Sequence, residues 1–237
     1  MRSKTAPAIV RLMNGSHRLQ TRAPAGRPDS LAPPWASVVA TVAVLVAGAM
    51  AALVWTRQRP DGVDAWAVQA LTVSKHSSPY RFASRLDDTT RIGGVLAAST
   101  ALAVLAWIRL RRRDLVIASL LVAPATVAVE QSFKLAPRRS HGLESFSHYP
   151  SGRVALATSL VLLLGLILRA AGARPFIQAL VAVLGTLYVL LMAWARVATG
   201  QHSFTDVLGG ISVGVAVTLA TVLVLTAWRQ GNPQRGY

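Results

Sequence analysis

Six long apolar stretches constrain the fold of this 237-residue chain more than any other feature of its sequence. A helix needs about 20 apolar residues to cross the ~30 Å hydrocarbon layer of a membrane. Charged residues make up only 14% of the chain and hydrophobic ones 53%, which leaves too few charges to cover a soluble domain. The sequence therefore predicts an all-α integral membrane protein, a bundle of six transmembrane helices. The predicted spans are 35–56, 91–108, 115–133, 154–168, 176–195 and 207–228, with the short fourth one extending into its flanking residues.

The segments between the spans indicate the domain organisation and the orientation. Residues 1–34 hold six basic residues and one acid, so we interpret them as a disordered cytoplasmic tail before a six-span domain, 35–228, and a second tail, 229–237. The first apolar run begins too late for a cleaved signal peptide. With the N-terminus inside, the cytoplasmic segments hold 14 of the 25 Lys and Arg residues, including Arg-Leu-Arg-Arg-Arg at 109–113. Because cytoplasmic loops carry the excess of basic residues, we expect a multi-pass cell-membrane protein with both termini in the cytoplasm.

The net charge of +16 bears on the partners. In a soluble chain it would indicate nucleic-acid binding. In the loops of a membrane protein, basic residues report topology and contact anionic headgroups, so we expect membrane lipids and no nucleic acid as partners. The chain has no cysteine, which excludes disulfides, thiolate metal sites and a cysteine nucleophile.

Three outer segments, about 57–90, 134–153 and 196–206, place many cationic and histidine side chains on one membrane face. Residues 66–73 of the first are compatible with a short interfacial helix. In the third, His202 lies four residues before Asp206, whose carboxylate can fix the imidazole tautomer and direct the other ring nitrogen to attack. By itself such a pair is more typical of a structural cap, with Asp206 as the N-cap.

The second and third outer segments also supply groups that bind anions. Arg196 ends the fifth span, where its guanidinium can hold two phosphate oxygens. Ser151 and Gly152 precede a long helix, so their backbone amides lie at its positive end, and Gly152 lets an oxyanion approach closely. Each feature alone is more typical of a turn or a snorkelling arginine. Their convergence on one face favours an anion site.

These residues resemble the signature motifs of the type 2 phosphatidic acid phosphatase superfamily, over about residues 90–228. The motifs are Lys134…Arg139, Tyr149-Pro-Ser-Gly-Arg153 and Arg196-x5-His202-x3-Asp206, the last followed by Gly-Gly. The resemblance implies that His202 is the nucleophile, forms a phosphohistidine and is oriented by Asp206. It implies no metal or other cofactor, because cationic side chains stabilise the charge. The implied substrate-binding residues are Lys134, Arg139, Ser151, Gly152, Arg153 and Arg196.

Three positions depart from the family pattern. His141-Gly142 stands where the first motif has Arg-Pro, and Ala195 stands where the third motif begins with Ser. Arg153 replaces the histidine that is the family's general acid, and an arginine does not donate a proton near neutral pH. His148 or His141 could act as a surrogate acid, water could do so, or the leaving group needs no proton.

We weigh three functional hypotheses. Loss of a general acid costs about 10²–10⁴ in rate when the leaving group is poor, so Arg153 favours a polyprenyl diphosphate or an activated phosphoester over an alkyl monoester. The first hypothesis is therefore a lipid phosphate or diphosphate phosphatase with its site at the outer face. The alternative is a catalytically impaired homologue that binds anionic lipid headgroups. A channel or transporter is disfavoured, because Glu130 is the one acid well inside a span, and its spacing allows it to pair with Lys134.

Overall fold

The computed structural model describes residues 32–56, 62–135 and 149–231, and within these ranges every regular element is helical. Six helices are long and apolar enough to cross a membrane, which confirms the predicted six-helix bundle. Two shorter helices lie between the first two spans. The elements are α1 (Ala36–Thr56), α2 (Gly62–Leu71), α3 (Ser78–Asp88), α4 (Ile92–Leu105, continued by a π-helical turn, Ala106–Leu110), α5 (Arg113–Leu135), α6 (Gly152–Ala170), α7 (Pro175–Ala198) and α8 (Phe204–Gly231).

The spans begin and end within a few residues of their predicted positions, and the fourth extends at both ends into α6. Helix α2 overlaps the predicted interfacial helix but starts four residues earlier, at Gly62. Helix α3 lies in a polar run without a predicted element, and Ser77 caps it by accepting the backbone N–H of Tyr80 at 3.2 Å. Most of the two predicted tails, residues 1–31 and 232–237, lies outside the described residues, so the tail boundaries stay predictions.

Helix α8 packs against α1, α5 and α6 and forms the centre of the bundle. Small residues allow such close packing between membrane helices. A Cβ at Gly210 would lie 2.5 Å from the carbonyl oxygen of Ser151, so glycine at this position lets the first turns of α8 and α6 meet. Helix α1 presents a stripe of buried alanines, Ala36, Ala40, Ala43, Ala47 and Ala51.

The two ends of the bundle carry different polar groups. At one end, Asp114 in the first turn of α5 pairs with Arg112 at 2.8 Å and with Arg229 near the end of α8 at 3.4 Å. The opposite end gathers the ends of α5 and α7 and the starts of α6 and α8. This arrangement places Lys134, Arg153, Arg196 and His202 at one end of the bundle, as the predicted topology requires. Which membrane face that end meets stays a prediction.

Candidate active site

The predicted nucleophile and its orienting acid lie where α8 begins. His202 Nδ1 is 3.3 Å from Asp206 Oδ2, and both side chains are buried. The same carboxylate oxygen accepts the backbone N–H of Ser203 at 3.0 Å, so the carboxylate is fixed by the first turn of α8. A carboxylate held in this way can select the imidazole tautomer that leaves Nε2 to act as a nucleophile.

Two arginines meet at a single carboxylate. Arg196, buried in the last turn of α7, donates from Nη1 to Asp87 Oδ1 at 2.8 Å. Arg153, in the first turn of α6, brings Nε to 3.3 Å from the same oxygen and donates from Nη1 to the Asp87 carbonyl oxygen at 2.8 Å. Asp87, at the end of α3, therefore joins the second and third motifs.

Lys134 and Gly152 meet at a second carboxylate. Lys134 pairs with Glu130 one turn earlier on α5, as the spacing allowed. The Glu130 carboxylate lies against Gly152, and a Cβ at position 152 would overlap it. Glycine at the start of α6 thus leaves room for an anionic oxygen at the helix end. In this structure the carboxylate of Glu130 occupies that room.

Ser151 lies just behind this helix end. Its backbone N–H donates to the Asp206 carbonyl oxygen at 3.0 Å, which couples the start of α6 to the start of α8. The Ser151 hydroxyl is fully buried and has no hydrogen-bond partner among the described residues. Neighbouring Tyr149 is also buried, and its hydroxyl donates to the Ala47 carbonyl oxygen at 2.6 Å.

Burial raises the pKa of Tyr149 to about 12, and the negative charge of Asp206 adds to the rise. The phenol therefore stays protonated at neutral pH and acts as a hydrogen-bond donor. Its ring lies against Gly209 and makes an edge contact with Phe133, with ring centroids 5.7 Å apart. Tyr149 thus belongs to the packing beneath the site.

A cavity of about 310 Å³ lies among these helix ends. Its size is at the lower end of the range for small-molecule sites. Five of the predicted site residues line it. Asp206 does not line the cavity but contacts His202, which does. The lining residues are Thr90, Arg91, Ile92, Glu130, Lys134, Gly152, Arg153, Leu156, Arg196 and His202.

The cavity combines cations with carboxylates that already bind them. Arg153 and Arg196 share Asp87, Lys134 pairs with Glu130, and Arg91 pairs with Asp88 at 2.9 Å on the surface. In the described ranges no three His, Cys, Asp or Glu side chains cluster closely enough to hold a metal ion. The described groups around the cavity that can stabilise an anion include guanidinium, ammonium and backbone N–H groups.

Three predicted residues, Arg139, His141 and His148, fall between 136 and 148, outside the described part of the chain. Their roles as a phosphate ligand and as surrogate acids stay predictions.

Sequence reasoning missed two buried acids between the first two spans, Asp64 in α2 and Asp87 in α3. Asp64 in α2 accepts the backbone N–H and the hydroxyl of Thr205, at 2.8 and 2.7 Å. Thr205 immediately precedes Asp206, so α2 anchors the segment that carries the predicted nucleophile. For Asp87, the one signal in the sequence was Arg153, because an arginine at that position needs an acidic partner.

Comparison with known proteins identifies the family. A family model for the PAP2 superfamily matches residues 33–230. In fold the chain is similar to a transmembrane PAP2-type phosphatidylglycerolphosphate phosphatase from Bacillus subtilis, with 16% sequence identity, a TM-score of 0.54 and coverage of 83% of this chain and 96% of that chain. A search of curated proteins found no match. The family and the fold support a phosphatase-type function. This multi-pass membrane protein therefore belongs to the PAP2 superfamily, as its motifs predicted.

Proposed function

We propose that this chain is a membrane phosphatase that hydrolyses a lipid phosphate or a polyprenyl diphosphate through a phosphohistidine at His202. One observation carries the proposal: His202, backed by Asp206, lines the same cavity as Lys134, Arg153 and Arg196. A nucleophile beside several phosphate-binding cations is what phosphoryl transfer requires. The solved relative is named for its action on phosphatidylglycerolphosphate, which supports a lipid phosphate as the substrate class.

In the proposed reaction, the phosphoryl group binds Arg196 beside the Asp87 carboxylate and takes the place of the Glu130 carboxylate on Lys134. Nε2 of His202 attacks phosphorus, the P–N bond forms, and the bond between phosphorus and the leaving oxygen breaks. Asp206, hydrogen-bonded at Nδ1, stabilises the positive charge that develops on the imidazole. Water then attacks the phosphohistidine, and the P–N bond breaks to release inorganic phosphate. No metal or other cofactor enters this mechanism, since the cationic side chains balance the phosphoryl charge.

Arg153 determines which leaving group we propose. Its guanidinium does not protonate a departing oxygen at neutral pH, and it is bound to Asp87. A diphosphate expels a phosphate oxygen of low pKa, which leaves without a proton. We therefore propose a preference for a polyprenyl diphosphate or an activated phosphoester over an alkyl monoester. For a monoester, His148 or His141 is the proposed surrogate acid.

The alternative is a catalytically impaired homologue that binds anionic lipid headgroups without cleaving them. Arg153 stands at the position of the family's general acid and is bound to Asp87. This arrangement favours the impaired homologue. The correctly spaced and hydrogen-bonded His202 and Asp206 favour catalysis, because a binding protein has no need for an oriented nucleophile.

Phosphate release by the purified protein tests the proposal. We would compare a polyprenyl diphosphate, phosphatidic acid and phosphatidylglycerolphosphate as substrates. His202→Ala should abolish release, and His76→Ala, at an exposed histidine outside the cavity, is the matched control and should keep wild-type activity. Equal or faster turnover of the monoesters would refute the diphosphate preference. Lipid binding without release by the wild type would support the impaired homologue.

The proposed outer-face location of the site has a separate test. Because the chain has no cysteine, single cysteines can be labelled without background. Lys75→Cys lies in the segment before α3, at the end of the bundle that holds the cavity, and Arg174→Cys precedes α7 at the other end; both positions are exposed. A membrane-impermeant maleimide should label the first in intact cells and the second only after permeabilisation. The reverse pattern would overturn the proposed orientation.

A further inference from the structure

Asp87 is a buried acid with an unusual set of partners. It is 8% exposed, and one of its carboxylate oxygens lies 2.8 Å from Arg196 Nη1 and 3.3 Å from Arg153 Nε. Its carbonyl oxygen accepts a further hydrogen bond from Arg153 at 2.8 Å. A single residue of α3 thus holds two guanidinium groups that line the cavity.

The two arginines need such a partner because their charges are permanent and close together. Guanidinium groups remain protonated in proteins, and two like charges within a few ångströms repel each other strongly where water is excluded. In the family pattern position 153 is a histidine, which can be neutral. The arginine in this chain adds a fixed charge, and Asp87 supplies a carboxylate that offsets it.

We propose that Asp87 is a positioning residue that compensates the charge of Arg153 and thereby sets how tightly the cavity holds phosphate. This inference rests on the proposed phosphate-binding role of the cavity. With Asp87 in place, the two arginines present about one net positive charge to a ligand. Without the carboxylate they present two, so a phosphate ion is held more tightly and the product leaves more slowly.

A merely structural role for Asp87 has the opposite consequence. If the carboxylate only kept the two arginines in place, its loss would misplace both guanidiniums and weaken phosphate binding. The direction of the change in phosphate affinity therefore distinguishes charge compensation from simple support.

The experiment measures the dissociation constant of inorganic phosphate for the full-length protein in detergent, by calorimetry. Asp87→Asn keeps the shape of the side chain and removes its charge, and we expect phosphate to bind at least about fivefold more tightly. The matched control is Asp114→Asn, because Asp114 is also a buried carboxylate paired with two arginines but lies at the opposite end of the bundle. We expect that variant to bind phosphate within about twofold of wild type.

A second set of measurements uses variants of Arg153. It tests the inference even if the Asp87 variant does not fold. Arg153→Gln leaves Asp87 bound to Arg196 alone and should weaken phosphate binding at least about fivefold. The double variant Asp87→Asn, Arg153→Gln restores the net charge and should return to within about threefold of wild type. Progressive weakening through both single variants and the double variant would overturn the inference, as would an unchanged affinity in Asp87→Asn.

Phosphate binding is measured here without turnover, so the two proposals fail separately. A protein that binds phosphate as expected in every variant but releases none from lipids refutes the phosphatase proposal alone. A protein that hydrolyses lipid phosphates while Asp87→Asn leaves phosphate affinity unchanged refutes the charge compensation alone.

Discussion

Replacing Asp64 should loosen the segment that carries the proposed nucleophile. The carboxylate is buried at 7% exposure and accepts two hydrogen bonds from Thr205, at 2.8 and 2.7 Å. Hydrogen bonds to a charged group contribute about 1.5–3 kcal/mol each. Removing both in Asp64→Ala should lower the free energy of unfolding by about 3 kcal/mol. If about 2 kcal/mol of this free energy holds His202 in position, its loss should lower kcat/KM about 30-fold.

The assays are unfolding in detergent and phosphate release from the best lipid substrate. Val63→Ala, at an exposed neighbour on the same helix, is the control and should change both quantities little. Thr205→Val removes the hydroxyl but keeps the backbone N–H, so it should show about half of the effect. Wild-type stability and turnover in Asp64→Ala would refute the argument that α2 anchors the nucleophile segment.

Three further predictions follow from the site. Asp206→Asn should bind inorganic phosphate with an affinity within about threefold of wild type. It should hydrolyse substrate about 10²–10⁴-fold more slowly, because an amide does not balance the imidazolium charge. Wild-type turnover in a phosphate-release assay would contradict this. Gly152→Ala should weaken phosphate binding about tenfold, because its Cβ would fill the space in which an oxyanion approaches the start of α6. Gly165→Ala in the same helix meets open space and should bind phosphate normally in calorimetry. Because the pKa of Tyr149 is raised from 10.0 to about 12 in the folded protein, its contribution to stability should be fully present below pH 10 and lost as the pH rises through 12. In Tyr149→Phe unfolding measurements, that loss should be absent, and an unchanged loss would contradict the assignment.

The transmembrane part of the fold could be predicted because a span is a local property of the chain. Twenty apolar residues in succession require a helix wherever the protein places them, and the predicted spans matched to within a few residues. The pairing of Glu130 with Lys134 was also predictable, because residues four apart share a helix face.

The contacts of the segment between the first two spans could not be predicted in the same way. Asp64 binds Thr205 across 141 residues, and Asp87 binds Arg196 across 109 residues. No period or spacing connects such pairs, since their contact depends on how α2 and α3 pack on α7 and α8. Helix α3 was missed for a different reason: it is too short and polar to resemble a span, although Pro79, the Ser77 cap and its amphipathic pattern were local signals.

The phosphorylated intermediate tests the central claim most directly. The purified protein would be incubated briefly with a polyprenyl diphosphate labelled at its terminal phosphate, denatured in alkali and digested for mass spectrometry. The account predicts an acid-labile, alkali-stable phosphoryl group on the peptide that contains His202, and none in His202→Ala. Two results would contradict the account: release of inorganic phosphate by the wild type without a phosphoryl group on His202, or undiminished release by His202→Ala.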